Sequence, residues 1–433
     1  MGNSNSAESA ASEPGQFTTP GSNINRPELP KPLPRPPKKG ATPHEKLHQL
    51  LRANHATYSV LYHNRIYHNH MPHLLGSAYL LGAEVYQLIE LYEHYSKELD
   101  GWKEDSPQEV THFDWRDFYG KKEYQRGYRD FFDDLVVDAS FEWKRVISKF
   151  LLDDDATLLL GLSGGLAHPL IHLAYAYELN SAEVATEALT LDTTCFRPSS
   201  SFVRDFVNIY ENMSITDRAE KLEKDPLKVL QIIRESTDIS NAPISSAGAL
   251  GASDDVLEQS KDAILALAVR LDFSDFQKTA QRIFHSTSLL ATASHKPEKY
   301  NVDFVLLHTL TAAHAVQVIL PYLPKKHKTQ LVIELWLFVV ITYISGQRPV
   351  IDEERIWSYE VEKENKSWDF IIRHAFSSEM RFDAHYLKVI RALKTLYETS
   401  TIAHDPSLYM LQATQFALET HGWTFGPDDE HTE

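Results

Sequence analysis

From His73 to Leu99 the apolar residues Leu74, Leu75, Tyr79, Leu81, Val85, Leu88, Ile89 and Tyr92 recur at steps of three and four, which sets them along one stripe of a helix. The spacing predicts one long helix there. The same period runs through Tyr124 to Leu151, Pro169 to Leu179, Val256 to Leu271, Phe276 to Ala293, Val302 to Leu320, Lys326 to Ile344, Trp368 to Phe376, His385 to Tyr397 and Leu408 to Leu418. No succession of short alternating segments joined by Asn-Gly or Asp-Gly turns accompanies these stretches, so no extensive sheet is expected. The pattern predicts an all-α fold, a large multi-helix bundle. No fixed-period repeat interrupts it, which argues against a solenoid.

Two segments fall outside the pattern. Residues 1–40 are rich in Ser, Asn, Pro and Gly, and proline alternates with Lys or Arg from Pro27 to Pro37, so a disordered tail is expected. The helical domain is then expected over residues 41–425. Residues Ser240 to Asp254 are rich in Ser, Ala and Gly, which predicts a surface loop and the place where the domain would divide. The tail opens Met1-Gly2-Asn3-Ser4-Asn5-Ser6. That fits the pattern for N-myristoylation of Gly2, with Lys31, Arg35, Lys38 and Lys39 as a weak basic second anchor. A low-complexity tail also meets so short a pattern by chance. The most apolar stretch, Leu331 to Ile344, contains Glu334 and is read as a buried helix, so no transmembrane segment is expected.

Charge and cysteine usage narrow the function. The 433 residues carry 43 Lys plus Arg against 60 Asp plus Glu, a formal charge of −17. Such a surface repels phosphate backbones, so nucleic acid is not an expected partner. The single cysteine, Cys195, excludes an intramolecular disulfide framework and any multi-thiolate metal site. A reducing, cytoplasmic location is expected.

With 21 histidines against one cysteine and five methionines, a transition-metal site here would be built from imidazoles, with oxygen ligands filling the sphere. Four clusters stand out. His68, His70 and His73 lie at the entry to the first predicted helix, where Pro72 favours a helix start. The run Gly161-Leu162-Ser163-Gly164-Gly165-Leu166-Ala167-His168-Pro169-Leu170-Ile171-His172 sets two histidines four apart on one helix face, a spacing that suits two imidazoles on one metal ion. Zinc peptidases carry Glu directly after the first of these histidines, so Pro169 argues against that activity. His308 and His314 share an apolar helix with Thr311, one turn beyond His308. His385 and Lys388 sit one turn apart on another. For each cluster the plain alternative is a core imidazole hydrogen-bonded to a neighbouring carbonyl or hydroxyl.

The Asn69-His70-x-x-His73 entry, the Gly164-Gly165-x-x-His168-Pro169-Leu170-Ile171-His172 run, the His308-x-x-Thr311 helix and the Asp383-x-His385-x-x-Lys388 helix together resemble the questin oxidase-like family, from about Thr42 to Gly422. The resemblance implies an oxidoreductase acting with O2 on a small polycyclic aromatic, polyketide-type substrate such as an anthraquinone, by ring cleavage or oxygen insertion. It also implies NADPH as a possible cofactor, although Gly161 to Gly165 does not follow a dinucleotide pattern and no flavin-binding pattern is present. Something must then activate O2. The expected solution is Fe(II) held by His70 or His73 with His168, His172 and His308. Thr311, His314 and His385 are expected to orient ligands or polarise a substrate carbonyl. Lys388, costly as a buried ammonium, is expected to be neutral or converted by carbon dioxide to a carbamate ligand, or else to reach the surface and pair with Asp383. The rivals are a metal-free NADPH-dependent Baeyer-Villiger oxygenase and a non-catalytic helical protein.

Overall fold

The computed structural model describes residues 40–102, 106–152, 158–196, 200–239, 260–296, 299–362, 365–403 and 405–425. The expected tail, with Gly2, and the Ser240 to Asp254 loop lie outside these residues. From Ala41 the chain forms one compact unit. Its first half contains α1 (Pro43–Thr57), β1 (Leu61–Tyr62), β2 (Tyr67–His68), α2 (Met71–Leu80), α3 (Val85–Tyr95), α4 (Gln125–Asp138), α5 (Trp143–Leu151), α6 (Gly164–Leu179) and α7 (Ala182–Thr194). Next come α8 (Ser200–Asn212), α9 (Ile215–Lys221), α10 (Pro226–Glu235), α11 (Phe276–Thr292), α12 (Phe304–Ile319) and α13 (Lys325–Ser345). The last are α14 (Glu354–Trp357), α15 (Trp368–Ser377), α16 (Ala384–Thr399) and α17 (Ser407–Glu419). The fold is all-α, and among the described residues the only sheet is the β1–β2 hairpin.

From Phe276 onward the predicted helices are present with ends within two residues of expectation. Two others are not single. The helix predicted from His73 to Leu99 is broken between α2 and α3, where Gly82 takes φ 94° and Glu84 and Gln87 form a reciprocal cap that starts α3. An apolar stripe continues across the break because both helices cover the same core. The stretch from Tyr124 to Leu151 is likewise cut, at Ser140 and Phe141, with φ 55° and 66°.

Four helices make the frame of the site. α2 packs on α6, α6 on α12, α12 on α16, and α16 returns to α2, so the four close a ring. α7 lies outside it against α6, α1 and α4. Two helical segments, Phe304–Tyr322 and Lys325–Ser345, are long and apolar enough to cross a membrane, yet 78% and 72% of their apolar windows are buried in the fold. Glu334 in the second accepts a hydrogen bond from the Ser163 backbone at 2.9 Å.

Candidate metal centre

Each helix of the ring contributes histidine or lysine side chains to its interior. The hairpin pairs Leu61 with His68 and Tyr62 with Tyr67, and Gln125 holds Leu61 through both its N–H (2.8 Å) and its carbonyl (3.2 Å). This fixes the strand that runs into His70, the residue capping α2. The Tyr95 hydroxyl accepts the His70 backbone N–H at 3.1 Å. On α6 the right-handed helix begins only at His168. Gly165, Leu166 and Ala167 wind in the left-handed region, with φ 55°, 57° and 59°, a conformation that costs L-residues about 1–2 kcal/mol each. Glycine is required just before them: a Cβ on Gly164 would stand 2.6 Å from the Cys195 carbonyl oxygen. The glycine-rich segment is thus a tight turn packed on protein atoms.

The ring nitrogens carry a consistent assignment of protons. A carbonyl or carboxylate oxygen only accepts, so a ring nitrogen facing one must be the protonated one. His168 Nδ1 donates to the Gly165 carbonyl at 2.5 Å. His308 Nδ1 donates to the Phe304 carbonyl at 2.7 Å. His385 Nδ1 donates to Asp383 at 2.8 Å, and Trp423 Nε1 holds the other oxygen of that carboxylate at 2.6 Å. Burial opposes the charge on Asp383, but His385 and Trp423 keep its carboxyl down at about 2. In all three histidines Nε2 is left with a bare lone pair. Those of His308 and His385 are buried without a hydrogen-bond partner, and that of His168 meets His70 Nε2 at 2.6 Å. Ring nitrogens of His70, His168 and His385 that could hold a metal lie within 4.8 Å of one another, and the His308 ring centroid is 5.0 Å from those of both His168 and His385.

Burial depresses the basicity of these imidazoles, taking His70, His168 and His308 well below the ordinary range. It also lowers His385, where the Lys388 charge adds and Asp383 opposes. Burial thus favours the neutral rings, the form that binds metals. Lys388 is 2% exposed, its Nζ has no hydrogen-bond partner, and burial pulls its amine down to about 7. It does not reach the surface.

Other predicted residues stand elsewhere. His172 has both nitrogens engaged, Nδ1 with His73 Nε2 at 3.0 Å and Nε2 with Glu187 at 2.9 Å. His73 therefore backs His172, while His70 carries a nitrogen into the converging group. Thr311 turns its hydroxyl back to the His308 carbonyl at 3.2 Å. His314, farther along α12, meets Thr395 at 3.2 Å and stacks on Phe284. His68 stacks on His168 with centroids 4.1 Å apart and lies 3.5 Å from Cys195 Sγ. Sequence reasoning missed Glu187 and His55. A lone acid inside Val184-Ala185-Thr186-Glu187-Ala188-Leu189 was the available signal for the first; nothing local marks the second.

Comparison with known proteins gives the family. Residues 67–393 match the model of the questin oxidase-like family. The oxidoreductase AflY of Aspergillus parasiticus is 25% identical, covering 81% of this chain and 72% of its own. A Baeyer-Villiger oxidase of Pestalotiopsis microspora is 23% identical over 80% of this chain and 79% of its own, and the questin oxidase of Aspergillus fumigatus is 21% identical over 81% and 80%. The match spans β2, α2, α6, α12 and the part of α16 that bears His385 and Lys388, and the chain belongs to the questin oxidase-like family.

Proposed function

We propose that the chain is an oxygenase that uses O2 to open a ring of, or insert oxygen into, a polycyclic aromatic substrate of the anthraquinone kind, at a non-haem iron. His70, His168, His308 and His385 would hold the metal, with Lys388 as a carbamate. The observation that carries this reading is the set of inward Nε2 lone pairs whose Nδ1–H groups are anchored on Gly165, Phe304 and Asp383. Metal-binding histidines are oriented by such outer partners. Two unpartnered imidazole nitrogens and an unpartnered amine, all buried, are otherwise costly. When bound, iron supplies the one-electron chemistry that lets O2 react with a closed-shell molecule.

The chain's own residues do the rest. The helix ring keeps the imidazoles rigid and shields His168, His308 and His385 from water. Lys388, depressed to about 7, presents a neutral amine that adds to carbon dioxide with loss of one proton, giving the anionic oxygen that the four imidazoles lack. Relatives named questin oxidase and Baeyer-Villiger oxidase support the reaction class. The second reading, metal-free oxygen insertion driven by NADPH, draws on the Baeyer-Villiger names alone.

Metal analysis of protein purified without chelator separates the two. Close to one iron per chain, with O2 uptake on polycyclic phenols that chelation abolishes, is the expected result. Full NADPH-dependent turnover by metal-depleted protein would falsify the iron reading.

A further inference from the structure

Behind the histidine cluster runs a second set of titratable groups that the proposed chemistry does not use. His172 on α6 donates Nε2–H to Oε2 of Glu187 at 2.9 Å. The other oxygen of Glu187, on α7, takes Nδ1–H of His55 from α1, also at 2.9 Å. His55 Nε2 then reaches Asp133 on α4 at 2.9 Å, and the Asp133 side chain is 33% exposed. The inner end is His73, whose Nε2 faces His172 Nδ1 at 3.0 Å. Five helices thus supply one line of hydrogen bonds to solvent from His73, whose Nδ1 has no hydrogen-bond partner and whose ring centroid lies 5.2 Å from that of His70. Glu187 is 3% exposed, and a carboxylate at that depth demands a reason. Both of its oxygens are bound in line rather than clamped by a single cation.

We infer that Asp133, His55, Glu187 and His172 form a proton conduit between the buried cluster and solvent. Every member has two protonatable atoms, one facing inward and one outward, so each takes a proton on one side and releases one on the other. A proton delivered to Nδ1 of His172 lets its Nε2 proton pass to Oε2 of Glu187, while the His55 proton facing Asp133 leaves through that carboxylate to water. One proton enters, one leaves, no electrons move, and the net charge of the line is unchanged. Transfer of the Glu187 proton to His55 and reorientation of the rings restore the start. Arg129, 3.5 Å from Asp133 and donating to the His55 carbonyl, holds the outer end in place. Such a route matters because His168, His308, His385 and Lys388 are each less than a tenth exposed. Proton exchange between substrate or Lys388 and the outside then needs a fixed path. Its use in turnover rests on the oxygenase reading, whereas the conduit itself does not.

The test follows the ring N–H protons of the full chain labelled with 15N-histidine, measuring their exchange with water by NMR. His314, also buried but bonded to Thr395 instead, is the internal control. The His172 ring proton is expected to exchange in wild type about tenfold or more faster than in His55→Phe or Asp133→Asn, with His314 unchanged. Should His55→Phe fail to fold, Asp133→Asn carries the test, because its site is partly exposed and amide for carboxylate keeps the shape. Equal His172 rates in wild type and the folded variants would overturn the conduit, as would a wild-type rate no faster than that of His314. Protein that takes up no iron leaves this comparison intact, so the two proposals fail separately.

Discussion

His168 Nε2 lies 2.6 Å from His70 Nε2, and because His168 donates its Nδ1–H to Gly165, the shared proton belongs to His70. The left-handed turn before α6 therefore fixes which nitrogen of His168 is bare, and His168 in turn fixes the orientation of His70. Proton positions in the cluster descend from the backbone.

His168→Ala and His385→Ala are expected to lower iron content by about tenfold or more at limiting metal, with helicity by circular dichroism unchanged. His314→Ala, away from the converging nitrogens, should keep its iron. Equal iron in all three would place the metal elsewhere.

Asp383→Asn tests the anchoring of His385. Asparagine can still cap α16 through its side-chain oxygen, so the fold should hold to within about 1 kcal/mol. The charged acceptor is lost, and metal affinity should fall about 10- to 100-fold by titration. A drop in melting temperature with no change in affinity would assign Asp383 to the helix start alone.

Lys388→Ala is expected to abolish iron-dependent O2 uptake. A short carboxylic acid added to the variant should restore part of the iron content, since it supplies the missing anionic oxygen. Lys388→Met should resist thermal unfolding better than metal-free wild type at pH 7, because it fills the volume without a buried amine. Normal iron content and turnover in Lys388→Ala would remove the lysine from the site.

His55 and Glu187 make stability depend on pH from both sides. Burial works against the charge on His55, but hydrogen bonds to Asp133 and Glu187 raise it to about 10 from 6.5. Its contribution is full below pH 6.5 and lost as pH rises through about 10. Burial also opposes the Glu187 charge, yet His172 and His55 lower it to about 2 from 4.5. That contribution is full above pH 4.5 and lost as pH falls through about 2. The gap in urea midpoint between wild type and Glu187→Gln should therefore be widest between pH 4.5 and 6.5 and narrow on both sides of that window. An unchanging gap would deny the coupling.

Gly164→Ala should lower stability by about 1–3 kcal/mol, because the new Cβ meets the backbone carbonyl of Cys195 at 2.6 Å. The same change should weaken iron binding through displacement of His168. Wild-type melting temperature in this variant would show that the turn yields.

Helix type and order were legible where apolar residues recur at helical steps, as in the second half of the chain. α7 was not, since Thr186, Glu187, Thr190, Asp192, Thr193 and Thr194 interrupt its apolar residues although all of them are buried. Missing α7 meant missing Glu187, and with it the fact that His172 is engaged away from the converging nitrogens. Spacing alone put His168 and His172 on one face, which holds, but could not say that their ring nitrogens serve different neighbours. Helix breaks at Gly82, Ser140 and Phe141 escaped notice because apolar period persists across a turn. His385 rests on the Asp383 contact, a local pair that sequence reasoning placed correctly on its helix without weighing it as a ligand.

The four helices of the ring enter the chain far apart, from α2 near its beginning to α16 near its end. A ribosome adding about 5–20 residues per second exposes α2 and α6 long before α16. Until α16 docks, a passing ion meets only His70 and His168, already closed on each other by a hydrogen bond, and His308 once α12 has emerged. His385 and Lys388 arrive last. Under the iron proposal, loading would wait for the completed polypeptide, and a nascent chain would offer little to capture the wrong metal.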